Sequence, residues 1–138
     1  MSLFNLGDFT LHSGVTTKWK IDCDVLSNED ISALATMIFD MVGPFMSVEG
    51  IPTGGLRLAK ALEPLAGRKG GIGRNIHLIV DDVLTTGGSM ERAKERHSGQ
   101  GPAGRPGIRG VVIFARGKCP DWITPLFQIH ENLWLKGN

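Results

Sequence analysis

The chain has 138 residues, enough for one domain with a substantial core. Fifteen Lys and Arg stand against 14 Asp and Glu, a net charge of +1 that sets up no global field for nucleic acid or a membrane surface. No apolar run reaches membrane-spanning length and the opening residues lack a basic stretch followed by an apolar one, so we expect a cytoplasmic protein with no membrane and no nucleic-acid partner.

In chain order, residues 1–26 show no regular periodicity. Ser27 then reads as a helix N-cap with an acid, Asp30, at the third helical position. Ile31, Leu34, Ala35, Ile38, Met41 and Val42 recur at helical spacing, predicting a helix over about 28–42 that Gly43-Pro44 ends. Residues 45–48 read as a short strand, followed by the loop 49–55. A second helix carries Leu58, Ala59, Leu62 and Leu65 on one face. Residues 67–73 form a basic, glycine-rich connection, and 76–80 are a nearly continuous apolar run, as in a strand buried on both faces. A helix over 89–97, a long loop around 99–107 and a buried strand over 111–115 complete the pattern.

Strand, loop and helix alternate, which predicts an α/β fold with a parallel sheet. The expected organisation is one domain over 1–138. Its core spans about 27–116, and a small cap is built from residues 1–26 and 117–138, which hold all three tryptophans. Cys23 and Cys119 lack metal-like spacing and read as two reduced thiols. His97 and His130 read as surface residues, and His77 as a residue at the core's edge.

Two glycine-bearing loops carry the chemistry, because ligands of a parallel sheet gather at the carboxyl ends of its strands. In the run LIVDDVLTTGGS, residues 78–89, the loop Thr85-Thr86-Gly87-Gly88-Ser89 joins a strand to a helix. Its backbone N–H groups and hydroxyls can surround a phosphate. Asp81 and Asp82, acceptors only while ionised, suit the hydroxyls of a sugar or a magnesium-bound sugar. Thr53, Gly54 and Gly55 offer donors for a second phosphate group. Paired acids or a GG turn are each structural more often than not; the ordered string of apolar run, acids, TTGGS and helix is far more specific. Together the two loops suggest a sugar phosphorylated at both ends.

LIVDDVLTTGGS resembles the signature of the type I phosphoribosyltransferases, which bind 5-phosphoribosyl 1-diphosphate (PRPP), and VEGIPTGG, residues 48–55, resembles their diphosphate loop. The resemblance implies their Rossmann-like parallel-sheet core, with Asp81 and Asp82 on the ribose, residues 85–89 on the 5′-phosphate, and Mg2+ held mainly by PRPP with Asp81 and Asp82 in reach. Thr85 stands where enzymes for 6-oxopurines carry an aspartate, which is similar to the orotate branch. FTLHSGVTTKWKID, residues 9–22, resembles that branch's opening segment, and FAR, residues 114–116, its strand-end Asp-Arg. By that likeness His12, Ser13, Gly14, Lys20, Ile21, Thr85 and Arg116 face the base. A lysine is common at His12 in that branch, and aromatics at Lys20 and Ile21.

The orotate branch also has a strand and a long loop, rich in Lys and His, between the diphosphate-loop helix and the acidic strand. Only residues 66–75 fill that gap here, where Arg68, Lys69 and Arg74 are either a miniature lid or a solvated connection. The implied activity is transfer of the phosphoribosyl group to a base, orotate first, in pyrimidine biosynthesis, by a homodimer. A PRPP- or nucleotide-binding regulator without turnover, and an enzyme for another base, stay open.

Overall fold

A computed structural model of the chain describes residues 2–11, 14–67, 75–97 and 107–129. Strands β1 (Phe4–Thr10) and β2 (Thr16–Ile21) form an antiparallel hairpin. Helix α1 (Asn28–Val42) follows, its start fixed by reciprocal bonds between Ser27 and Asp30, the capping box read from the sequence. Then come β3 (Ser47–Gly50), α2 (Leu56–Leu62) with a 3-10 turn at Glu63–Leu65, β4 (Ile76–Leu84), α3 (Gly88–Glu95), β5 (Gly107–Ala115) and β6 (Ile123–Gln128). Strands β3 to β6 pair in that order, all parallel.

Alternate residues of the central strands face opposite layers, as the two-residue period of a strand requires. Leu78, Val80, Val111 and Ile113 pack with Ile38, Phe45, Leu58 and Leu62 of the α1–α2 side. Ile79 and Val112 pack with Met90 and Ala93 of α3, and with Ile123. The apolar run of β4 is thus buried on both faces, as its composition predicts.

Three boundaries differ from the sequence reading. β3 starts at Ser47 rather than residue 45, since the Phe45 carbonyl accepts from the Gly67 amide instead of from a neighbouring strand, and it runs through Glu49 and Gly50. β4 continues past residue 80 to Leu84, so the two acids lie inside the strand; the pairings Asp81↔Val112 and Val83↔Phe114 carry the ladder past them. Residues 123–128 do not join the N-terminal segment in a cap. They are the fourth strand of the main sheet, pairing with β5 through Gly110↔Ile123 to Ala115↔Gln128. The cap is therefore the β1–β2 hairpin, held to the sheet by Phe4, whose ring packs edge-on against Phe114 at 6.0 Å.

Candidate active site at the sheet's carboxyl edge

The acids, both glycine-bearing loops and the hairpin meet in two adjoining clefts. One, of about 430 Å³, is lined among others by Ile21, Thr53, Gly54, Asp81, Asp82 and Arg116. The other, of about 330 Å³, is lined by Asp81, the loop 85–89 and Arg92. Asp81, Val83, Thr85 and Ser89 belong to both, so a single elongated ligand can occupy the pair.

Each element delivers its residues for a local reason. Gly87 takes φ 85°, the left-handed conformation that glycine adopts without a Cβ clash, and turns the chain from β4 into α3. The loop's N–H groups then lie at a helix start, where partial positive charge favours an anion. In the other loop, Gly54 lies against Asp82, and the Pro52–Thr53 peptide is cis. Gly55 serves packing: an added Cβ would fall 2.5 Å from the Val80 carbonyl, and its amide already donates to Ile51 O at 2.8 Å. That commitment takes Gly55 out of the expected donor set and leaves Thr53 and Gly54 as the loop residues lining the cleft.

The acid pair is electrostatically loaded. Burial, then the hydrogen bond and charge of Asp82, push the Asp81 carboxyl up to about 8. Asp82 Oδ1 accepts from the Val83 amide at 2.7 Å, and Asp81 Oδ1 from the Asp82 amide at 2.8 Å. Two hard oxygen-donor side chains facing a cleft are a donor set that fits magnesium. Nearby, burial and then the charges of Asp82, Asp22, Asp24 and Asp81 push the Cys23 thiol up to about 12, which makes it a packing residue and not a nucleophile. Both cysteines are free thiols, as expected.

Arg116, 3% exposed, is not the surface ion-pair residue that its type alone would suggest. It leaves the end of β5, donates to Thr17 Oγ1 at 2.9 Å and stacks on Trp19, with 3.7 Å from guanidinium carbon to ring centroid. It joins hairpin to sheet while lining the cleft. Of the other expected base contacts, Ile21 and Thr85 line the cleft as well. Lys20 instead holds its ammonium over the Phe9 ring at 5.0 Å, and Gly14 sits in the β1–β2 turn, its amide bonded to Leu11 O at 2.8 Å. His12, Ser13, Arg68, Lys69 and Arg74 lie outside the described residues.

Sequence reasoning missed four residues here. Leu11, Asp22 and Asp24 line the larger cleft, brought there by the hairpin's return. Arg92 lines the smaller one and donates to Ser89 Oγ at 3.2 Å. Its position one turn beyond TTGGS was a usable signal, since side chains three apart on a helix share a face.

An orotate phosphoribosyltransferase of Cenarchaeum symbiosum (strain A) is 33% identical over 149 aligned residues, covering 78% of this chain and 74% of that protein. No family model matches the sequence. The crystal structure of orotate phosphoribosyltransferase from Aeropyrum pernix superposes with a TM-score of 0.70 at 23% identity, over 99% of this chain and 94% of that one. The Mycobacterium tuberculosis H37Rv orotate phosphoribosyltransferase gives 0.65 at 17% identity, over 91% and 89%. At those identities the structural likeness is one of fold.

Proposed function

The chain belongs to the orotate phosphoribosyltransferase family, and from that premise we propose that it joins a nucleobase, orotate first, to PRPP with release of diphosphate. The observation that carries this reading is the meeting of Asp81 and Asp82 with both phosphate loops around adjoining clefts. A ligand with a sugar in the middle and phosphate at each end matches acceptors flanked by donors.

In this mechanism the loop 85–89 anchors the 5′-phosphate, remote from the bond that breaks, and its binding energy orients the anomeric carbon. Arg92 adds charge there. Thr53 and Gly54 meet the diphosphate. A base nitrogen attacks the anomeric carbon as the diphosphate oxygen leaves, through an oxocarbenium-like transition state. Asp81 and Asp82 accept from the ribose hydroxyls and favour the positive sugar. Arg116 offers a planar fork to a carboxylate or carbonyl of the base beside Thr85 and Ile21. Mg2+, reached by the same two acids, would neutralise the departing diphosphate. The charge of orotate at neutral pH sits on its carboxylate, and the ring N–H that attacks gives up its proton to solvent or to the departing diphosphate as the bond forms.

A homodimer is part of the proposal, supported by Met37 and Met41, which stand 42% and 40% exposed on α1. A cytoplasmic setting fits two free thiols. Among the described residues no helix is long and apolar enough to cross a membrane.

The test is diphosphate release from PRPP and Mg2+ with orotate and a panel of other bases, beside a D81N/D82N variant. Turnover with orotate, lost in the variant, is expected. PRPP binding without release for any base would overturn the reading. Alanine variants of Arg68, Lys69 and Arg74 in the same assay test the lid, which would appear as a fall in kcat.

A further inference from the structure

Away from the clefts, β3, β4 and the turn after α3 bring three side chains to one point. Glu49 Oε1 lies 2.7 Å from His77 Nε2 and 2.7 Å from His97 Nε2. The three atoms fall within 4.8 Å of one another, and the imidazole centroids are 4.5 Å apart. Ser47 Oγ lies 2.6 Å from the other ring nitrogen of His77, and Arg96 donates to Glu49 Oε2 at 2.9 Å. His97 is thus not the surface residue that its place in the sequence suggests.

One carboxylate oxygen facing two imidazole nitrogens requires a hydrogen or a cation in each gap. Protons on both Nε2 atoms meet that need, with His77 Nδ1 then accepting from the Ser47 hydroxyl. The other tautomer gives Nδ1–H to Ser47 and leaves an Nε2 lone pair aimed at the carboxylate, an arrangement that a metal ion resolves. An outer oxygen on the far ring nitrogen is how metal-ligating histidines are held. Two imidazoles and one carboxylate suit zinc, with a fourth position left for water, and serve magnesium or calcium poorly. Two ligands of a tetrahedral zinc, with bonds of about 2.0–2.1 Å, stand about 3.3 Å apart, so the carboxylate must move outward by roughly half an ångström and the two imidazole nitrogens, within 4.8 Å of each other, must settle to the same spacing. The Glu49 side chain is 27% exposed and has room to do so.

We propose that Glu49, His77 and His97 form a site for a divalent transition cation of the zinc class, with Ser47 as the positioning residue for His77. None of the three lines the clefts, so this site is distinct from magnesium bound with PRPP and does not depend on the transferase reading. It has a structural logic. Glu49 lies at the end of β3 where the proposed diphosphate loop begins, His77 lies on the strand of Asp81 and Asp82, and His97 follows the helix that begins at the proposed 5′-phosphate loop. One ion fastens together the three segments that carry the chemistry.

The experiment titrates Zn2+ into chelator-treated full-length protein, reading bound metal per chain, melting temperature and, with Co2+ in its place, the visible absorption of tetrahedral ligation. One equivalent is expected, together with a rise in Tm. S47A should weaken binding about 10–100-fold, the usual cost of losing such an outer partner. H97Q and E49Q should each abolish the stoichiometric equivalent, and the nearly isosteric E49Q keeps the test alive should H97Q not fold. D81N/D82N should retain it. Wild-type protein that takes up no more Zn2+ than E49Q would overturn the proposal. So would Zn2+ binding that survives both variants or disappears in D81N/D82N.

Discussion

Gly54 and Asp82 touch across the site: a Cβ at residue 54 would fall 2.2 Å from an Asp82 carboxylate oxygen. The loop after β3 and the acid-bearing end of β4 are therefore one surface, and the glycine is what lets them close. Asp82 cannot swing aside freely, because its Oδ1 also holds the Val83 amide. Gly54→Ala should lower kcat/KM about 100-fold, the order expected for a displacement of about 1 Å at a reacting centre. Steady-state kinetics beside a thermal melt checks this, with Tm expected to fall as well, since the overlap must displace backbone or the Asp82 side chain.

Asp81 gives the pH dependence its sign. Its carboxyl is raised to about 8, whereas in the unfolded chain it ionises at about 4. Between those values the folded state holds a proton that the unfolded chain has lost, so stability falls as pH rises through the window. Asp81→Asn should remove that slope and stabilise the fold at pH 8 by more than about 1 kcal/mol. Ligand binding runs the other way: ribose hydroxyls need the ionised carboxylate, so apparent PRPP affinity should climb up to about pH 8. Calorimetry across pH on wild type and variant reads both effects.

Arg116→Lys keeps the charge and loses the planar fork and the stack on Trp19. We expect KM for the base to rise at least about 10-fold with PRPP affinity nearly unchanged, an asymmetry that reports lost base binding. Arg116→Ala should in addition destabilise the fold by about 2–4 kcal/mol, since it empties a buried site that joins hairpin to sheet.

Arg92→Ala should raise KM for PRPP about 5–10-fold with kcat retained, the mark of a contact made equally in ground and transition states. The effect should shrink with added salt, because Arg92 is an exposed cation. Initial rates at two ionic strengths decide it.

What the sequence made legible was local. Ser27 with Asp30, the apolar run 76–80, and the string from Asp81 to Ser89 each carry their meaning within a dozen residues. The parts that escaped depend on tertiary pairing. β4 runs on through Asp81 and Asp82, residues of low strand propensity, because the β5 ladder holds them there. β6 contains Pro125, which argues against a strand except at a sheet edge, and an edge is where it sits. Glu49 and His97 are 48 positions apart, and nothing in either neighbourhood announces their contact. The likeness of residues 9–22 to a family segment puts Lys20 beside the base, while its ammonium lies over the Phe9 ring within the hairpin, a contact no local pattern announces.

The stack of Arg116 on Trp19 also equips the molecule with an optical readout. An indole whose ring lies 3.7 Å from the guanidinium of a cleft residue emits according to where that cation sits. A base that draws the guanidinium toward itself changes the indole's surroundings at the moment of arrival. Trp122 is tied instead to Glu91 and Lys94, so a Trp19→Phe variant isolates the Trp19 signal from the emission of the other tryptophans. With Arg116 as the proposed base contact, arrival of a base is expected to be followed by emission in stopped flow, before any bond to the sugar has formed.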